Sequence, residues 1–192
     1  MPAESIKVVI ADDDRPFTLL ARAYLESSGF EVTDVATDGR RAVEACRRSR
    51  PDVVLLDIVM PELDGVAAAD QVIRELEGTT VIVLSAMTNE ELIDRAVQLG
   101  ITHYHVKPIS REQLRACILT AVAADRRCKE AERKLKERKV VERAKGLVMD
   151  SRRLTEAAAY RFLRTESQNR RMSIHKLAMA ILMAEDLLTE VK

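Results

Sequence analysis

No hydrophobic run in the 192 residues reaches the roughly 18 that a membrane-spanning helix needs, so no membrane partner is expected. The opening Met1-Pro2-Ala3-Glu4-Ser5 lacks the basic and apolar regions of a signal peptide. The three cysteines, Cys46, Cys117 and Cys128, show no CxxC spacing. A disulfide framework or zinc site is therefore not expected, and a reducing cytoplasm fits. Proline is absent between Arg111 and Met149, and Gly146 is the sole glycine there. One uninterrupted helix is predicted over that span. Past residue 125 there is no nucleophile–base pair, Gly-rich phosphate loop or metal cluster, so the rear of the chain is not expected to be an enzyme.

What is present is globular in character, with 47% hydrophobic and 32% charged residues. The net charge of zero conceals an asymmetry. Residues 1–124 hold 13 basic against 20 acidic side chains, and residues 125–192 hold 18 against 11. An acidic front and a basic rear predict two units with different partners, the rear suited to a polyanion.

The front alternates short β-branched runs with amphipathic stretches. Strands are predicted at Ile6–Ala11, Phe30–Val35, Val53–Leu56, Val81–Leu84 and Thr102–Val106. Helices are predicted near Pro16–Ser28, Gly39–Arg48, Val66–Leu76, Asn89–Leu99 and Arg111–Ala124, with Gly29 and Gly100 as C-terminal caps. Five successive β–α units imply an α/β fold, a doubly wound five-stranded parallel sheet covered on both faces. A loose heptad through Leu114, Ile118, Ala121, Asp125, Cys128, Glu132 and Leu135 allows a weak coiled coil in the linker. The tail reads as two short helices, one capped by Thr155 and running to about Gln168, the other capped by Ser173. Packed with the end of the long helix, they make a small three-helix bundle. Met172, Met179 and Met183 are read as core filler, and Gly146 as a point of close helix approach.

Four of the five predicted strands end on a chemically loaded residue: Asp12-Asp13 after the first, Asp57 after the third, Ser85 after the fourth and Lys107-Pro108 after the fifth. In a parallel sheet these ends share one edge, where reactive sites lie. Three carboxylates gathered there would repel without a cation. An all-oxygen cluster suits Mg2+.

These motifs closely resemble the receiver domains of response regulators across roughly residues 5–124. The resemblance rests on Val8-Val9-Ile10-Ala11-Asp12-Asp13-Asp14, Val53-Val54-Leu55-Leu56-Asp57 through Asp64-Gly65, Val83-Leu84-Ser85-Ala86 and Tyr104-His105-Val106-Lys107-Pro108. It implies a flavodoxin-like receiver at 1–124, phosphorylated on Asp57 by a sensor histidine kinase. It further implies Mg2+ held by Asp12, Asp13, Asp57 and the carbonyl of Val59, with Lys107 and Ser85 stabilising the phosphoryl group and Tyr104 as the switch. Asp14 is read as a solvated neighbour, Asp64 as ordering the turn at Gly65, and His103 and His105 as surface residues.

The rear carries Val141-Glu142-Arg143-Ala144-Lys145-Gly146-Leu147-Val148-Met149, then Leu154-Thr155-Glu156-Ala157-Ala158-Ala159-Tyr160-Arg161-Phe162-Leu163-Arg164 and Asn169-Arg170-Arg171-Met172-Ser173-Ile174. Across 136–190 this is similar to the ANTAR domain of transcription antitermination regulators, with 125–140 as a helical linker. The similarity implies a regulator that binds nascent RNA hairpins, as a phosphorylation-dependent homodimer, and prevents transcription termination. Lys145, Arg164, Arg170 and Arg171 are the first candidates for RNA contact, followed by Arg143 and Arg161. Tyr160 either stacks on a base or, with Phe162, fills the bundle core. The linker 150–154 lacks the glycine often found there. The rival outputs are a protein-interaction module and a DNA-binding one. For the latter, the final helix offers only Lys176 and the acidic Glu185-Asp186 outside its apolar stripe.

Overall fold

The structure, a computed structural model, describes residues 5–86 and 90–189. It divides into two compact units, Met1–Arg126 and Arg127–Lys192. The first unit holds β1 (Lys7–Ala11), β2 (Glu31–Ala36), β3 (Val53–Asp57), β4 (Thr80–Ser85) and β5 (His103–Val106). All four neighbouring pairs are parallel, in the order β2-β1-β3-β4-β5. Between the strands run α1 (Arg15–Ser27), α2 (Gly39–Ser49), α3 (Gly65–Glu75) and α4 (Glu90–Gln98). The expected start of α4 at Asn89 lies outside the described residues.

Strand side chains alternate between the two faces of the sheet, and the core divides accordingly. Val9, Ala11, Val54, Leu56 and Val83 pack in one apolar cluster with α2 and α3, through Ala42, Val43, Ala69 and Val72. Their neighbours Val8, Ile10, Val53, Leu55, Ile82 and Leu84 pack on the other face against Ala21 and Leu25 of α1. β3 is buried along its whole length, which is why its sequence reads as an unbroken apolar run.

The first three helices start on aspartates. Asp14, Asp38 and Asp64 are the N-caps of α1, α2 and α3, accepting from the backbone N–H of Phe17, Arg41 and Ala67. Asp14 is thus a cap and not merely a solvated neighbour, with Pro16 in the first turn as its signal. Gly29 and Gly100 take positive φ after α1 and α4, as expected. α2, however, ends on Arg50 at φ 47, a conformation costly for any residue with a Cβ. Arg50→Gly is expected to stabilise this unit by about 1 kcal/mol, read as a higher midpoint in urea; an unchanged or lower midpoint would contradict the assignment of strain.

α5 (Arg111–Arg152) is a single helix, followed by α6 (Glu156–Asn169) and α7 (Ile174–Thr189). Its Leu114, Ile118 and Ala121 are buried in the sheet-side core, so the first half of the traced heptad is already occupied. Leu135 is 55% exposed. In the second unit Val148, Ala159, Leu163 and Leu177 form one apolar cluster, and Ala144, Ala178 and Leu182 another. A Cβ at Gly146 would meet nothing within 4 Å, so close approach is the work of Ala144 and Ala178 instead. Tyr160 is 46% exposed, and Met172 and Met183 are exposed as well; alanine, leucine and valine make up the buried core, with Phe162 and Met149 packed against it. Thr155 sits at the N-cap of α6 without a side-chain cap bond, whereas Ser173 Oγ accepts from Lys176 N. The linker that lacks glycine turns on Arg153 at φ 52.

Candidate functional site

The order of the sheet reverses between β1 and β3, and the residues leaving these adjacent strands face one another. Asp12 and Asp13 follow β1 and Asp57 closes β3, with one carboxylate oxygen of each within 4.8 Å of the others. Lys107, after β5, reaches across: its Nζ donates to Asp12 Oδ2 at 2.5 Å and to Asp57 Oδ2 at 3.1 Å. The Lys107 N–H also donates to the Ser85 carbonyl at 2.8 Å, tying the lysine to the end of β4. Ser85 itself is fully buried. Thus residues 12, 13, 57 and 107 do gather at one edge. Tyr104 lies half-buried against the core, and Val59 follows β3 in an exposed turn.

One ammonium stands against three carboxylates, and the electrostatics follow. Burial pushes the Asp12 carboxyl above its ordinary range; Lys107 and the Asp14 N–H oppose this, and Asp57 adds to it. Burial works against the Lys107 ammonium, but hydrogen bonds to Asp12 and Asp57 outweigh it and hold the group above the usual lysine value. Asp57 Oδ1 is buried and, among the described residues, has no hydrogen-bond partner. An orphaned buried oxygen costs about 1–3 kcal/mol, so this pocket is built to receive a positive or proton-bearing group. The all-oxygen donor set and its charge fit a hard divalent cation such as Mg2+.

A stability test follows from these directions. A carboxyl whose folded pKa is raised favours the fold while it is protonated, and that contribution fades as pH rises through the folded pKa. At neutral pH the buried Asp12 carboxylate is therefore a burden that a cation relieves. Mg2+ at a hundredfold its dissociation constant should add about 2.7 kcal/mol. The accompanying rise in Tm should shrink as the solution is acidified through the carboxylate range. A magnesium effect on Tm that is absent at neutral pH, or grows on acidification, would contradict the site.

Three contacts were not legible in the motifs. The Phe17 ring lies beneath Lys107, 4.5 Å from Nζ to centroid, and no spacing signals it. Gly65 N donates to Ile58 O, and a Cβ on Gly65 would fall 1.8 Å from the Asp57 carbonyl oxygen. Asp64 caps α3 beside it, in keeping with a turn-ordering role. His103 is not a free surface residue: its Nε2 lies 3.2 Å from Asp125 Oδ1, with both side chains mostly covered. Burial and the nearby His103 push the His105 imidazole below its ordinary value.

In the second unit the cationic candidates separate. Arg161, Arg164 and Arg171 are exposed, as is Arg143 on α5. Arg170 is exposed and paired with Glu166 at 3.1 Å. Lys145 differs: its side chain is 10% exposed and bonded to Glu142 and, at 2.8 Å, to Glu156. Those bonds, Glu142 first, hold its ammonium above the ordinary range. The ammonium, shared by two carboxylates, ties α5 to α6.

A wholly parallel sheet with an aspartate–lysine cluster at its switch point, followed by a helical bundle, defines a signalling receiver joined to an output module. The family model of the response regulator receiver domain matches residues 8–119, and that of the ANTAR domain matches residues 129–182. The chain belongs to the response regulators with a receiver domain and an ANTAR output domain. It is 32% identical over 183 residues to the transcriptional regulatory protein PdtaR of Mycobacterium tuberculosis, covering 92% of this chain and 89% of that one. It is 34% identical over 110 residues to the chemotaxis protein CheY of Treponema pallidum, covering 56% of this chain and 76% of the other. Among solved structures, the response regulator domain of Thermotoga maritima CheB matches with TM-score 0.57 at 28% identity, over 62% of this chain and 98% of that one. Among the described residues no helix is long and apolar enough to cross a membrane.

Proposed function

We propose that Asp57 accepts a phosphoryl group from a sensor histidine kinase, and that the phosphorylated chain binds nascent RNA hairpins and prevents transcription termination. The observation that carries the reading is the unpartnered, buried Asp57 Oδ1 beside two further carboxylates and one lysine. In this reading an Asp57 oxygen attacks phosphorus in line, and the donor nitrogen departs with the electron pair of its bond to phosphorus. Lys107 neutralises charge on the phosphoryl oxygens. Asp12, Asp13, Asp57 and the Val59 carbonyl would hold Mg2+, which supplies further neutralisation when bound. The Ser85 hydroxyl donates to a phosphoryl oxygen, and Tyr104 moves inward behind that shift. A new dianion thereby biases a two-state surface.

The output follows from charge. Arg143, Arg161, Arg164 and Arg171 offer contacts to phosphates of exposed loops, and the exposed Tyr160 offers a face for an unstacked base. Phosphorylation-dependent pairing of two chains would join two loop-binding surfaces at high effective concentration, in the cytoplasm where nascent RNA is made. The test is sequencing of RNA crosslinked to the protein, wild type beside Asp57→Ala. Paired hairpin loops enriched in the wild type and depleted in the variant are expected. Recovery of no hairpins would overturn the reading, and a preference for duplex DNA in competition would replace it with a DNA-binding output.

A further inference from the structure

The second unit carries a groove of about 350 Å³ walled by all three of its helices. Its lining includes Val148 of α5, Phe162 of α6 and Leu177 of α7, of which Val148 and Leu177 are core residues. Three charged side chains complete it: Arg152, Glu166 and Arg170. The Arg152 guanidinium lies over the Phe162 ring, 4.2 Å from its centroid. Glu166 accepts from Arg170 on Oε2 at 3.1 Å, and a carboxylate has further lone pairs with which to accept from a ligand. The volume is at the lower end of the range for small-ligand pockets, roughly 300–1,000 Å³.

This combination matches one kind of guest. An apolar, aromatic lining accepts the faces of a flat ring, a guanidinium plane stacks on it, and a carboxylate takes a hydrogen from its edge. The surrounding unit is cationic, 18 basic against 11 acidic side chains over residues 125–192, which draws the polyanion to which such a ring is attached. An aliphatic side chain from another protein would leave both guanidiniums and the carboxylate unused. We infer that this groove is a pocket for one unstacked base of an RNA loop, a base bearing an exocyclic amino group that donates to Glu166. Arg152 stacks on the base and Arg170 fixes the carboxylate. The inference rests on the RNA-binding reading and adds to it the place where sequence is read, on the side of α6 away from Tyr160 and Arg164.

The test uses the full chain and a library of tandem hairpins with randomised loops. Wild-type protein should select hairpins with one loop position restricted to amino-bearing bases. Removing that base to leave an abasic site should weaken binding about tenfold or more. The same abasic change should cost almost nothing in Arg152→Gln or in the groove-filling Ala180→Phe, since neither can hold the base. Ala180 is exposed, so its replacement leaves the core intact; a thermal melt matching the wild type checks this. If Ala180→Phe melts early, Glu166→Gln serves beside Arg152→Gln and should shift the preference away from amino-bearing bases. Abasic penalties that persist undiminished in the variants would overturn the groove assignment while RNA binding itself stands. Loss of self-association in Ala180→Phe with unchanged abasic penalties would give the groove to a second copy of the chain and also overturn it. Failure of the wild type to select any hairpin would remove the RNA reading, and this inference with it.

Discussion

Asp57→Asn is expected to abolish phosphoryl incorporation from a small-molecule phosphodonor, with a loss on the order of 10⁴ or more in rate. The amide keeps the shape of the side chain but has no nucleophilic carboxylate oxygen. No neighbour can stand in for it. Asp12 is buried and already holds Lys107, and Asp13 is exposed at the rim of the cluster. The same change removes one of three converging negative charges. The variant should therefore unfold at the wild-type temperature or above it in the absence of magnesium, which separates loss of chemistry from loss of fold. Labelled phosphodonor uptake together with a thermal melt reads both. Uptake at the wild-type rate would place the phosphoacceptor elsewhere.

Gly65→Ala should cost the first unit about 3 kcal/mol of stability. The reason is contact and not φ. A Cβ at this position would sit 1.8 Å from the Asp57 carbonyl oxygen and 2.9 Å from Ile58 Cα. Both are backbone atoms of the strand end that carries the proposed phosphoacceptor, so no flexible side chain can yield. The backbone must move, and Asp57 with it. Gly65→Ala should thus lower the urea midpoint and slow phosphorylation together. Gly29→Ala meets no atom within 4 Å; its cost comes only from positive φ and should leave the phosphorylation rate unchanged. A Gly65→Ala protein with wild-type stability would show that the turn has room that this packing denies it.

The front of the chain was legible because its chemistry is periodic and its charges are placed at strand ends. The alternation of Val8, Val9, Ile10 and Ala11 fixes which residues face α1 and which face α2. A parallel sheet then puts Asp12 and Asp57 on one edge, and the adjacency of β1 and β3 brings them side by side. Contacts that depend on side-chain reach across elements were not legible. Phe17 beneath Lys107 and His103 beside Asp125 join residues 90 and 22 positions apart, and no local pattern records either. The tail was read correctly as helices but imperfectly as a core. Its buried positions are mostly alanine, leucine and valine, so burial could not be inferred from residue size, and Tyr160 and Met183 point outward. The surroundings of Lys145 were legible only in part: Glu142 lies one helical turn away, but the contact with the more distant Glu156 is recorded by no local pattern.

The most direct test of the whole account is the affinity of the full chain for a tandem-hairpin RNA before and after phosphorylation, with Asp57→Ala measured alongside. The wild type should bind at least tenfold more tightly once phosphorylated, and the variant should show one weak affinity under both conditions. Equal affinity of phosphorylated and unphosphorylated wild type would break the link between the acidic pocket and the basic bundle.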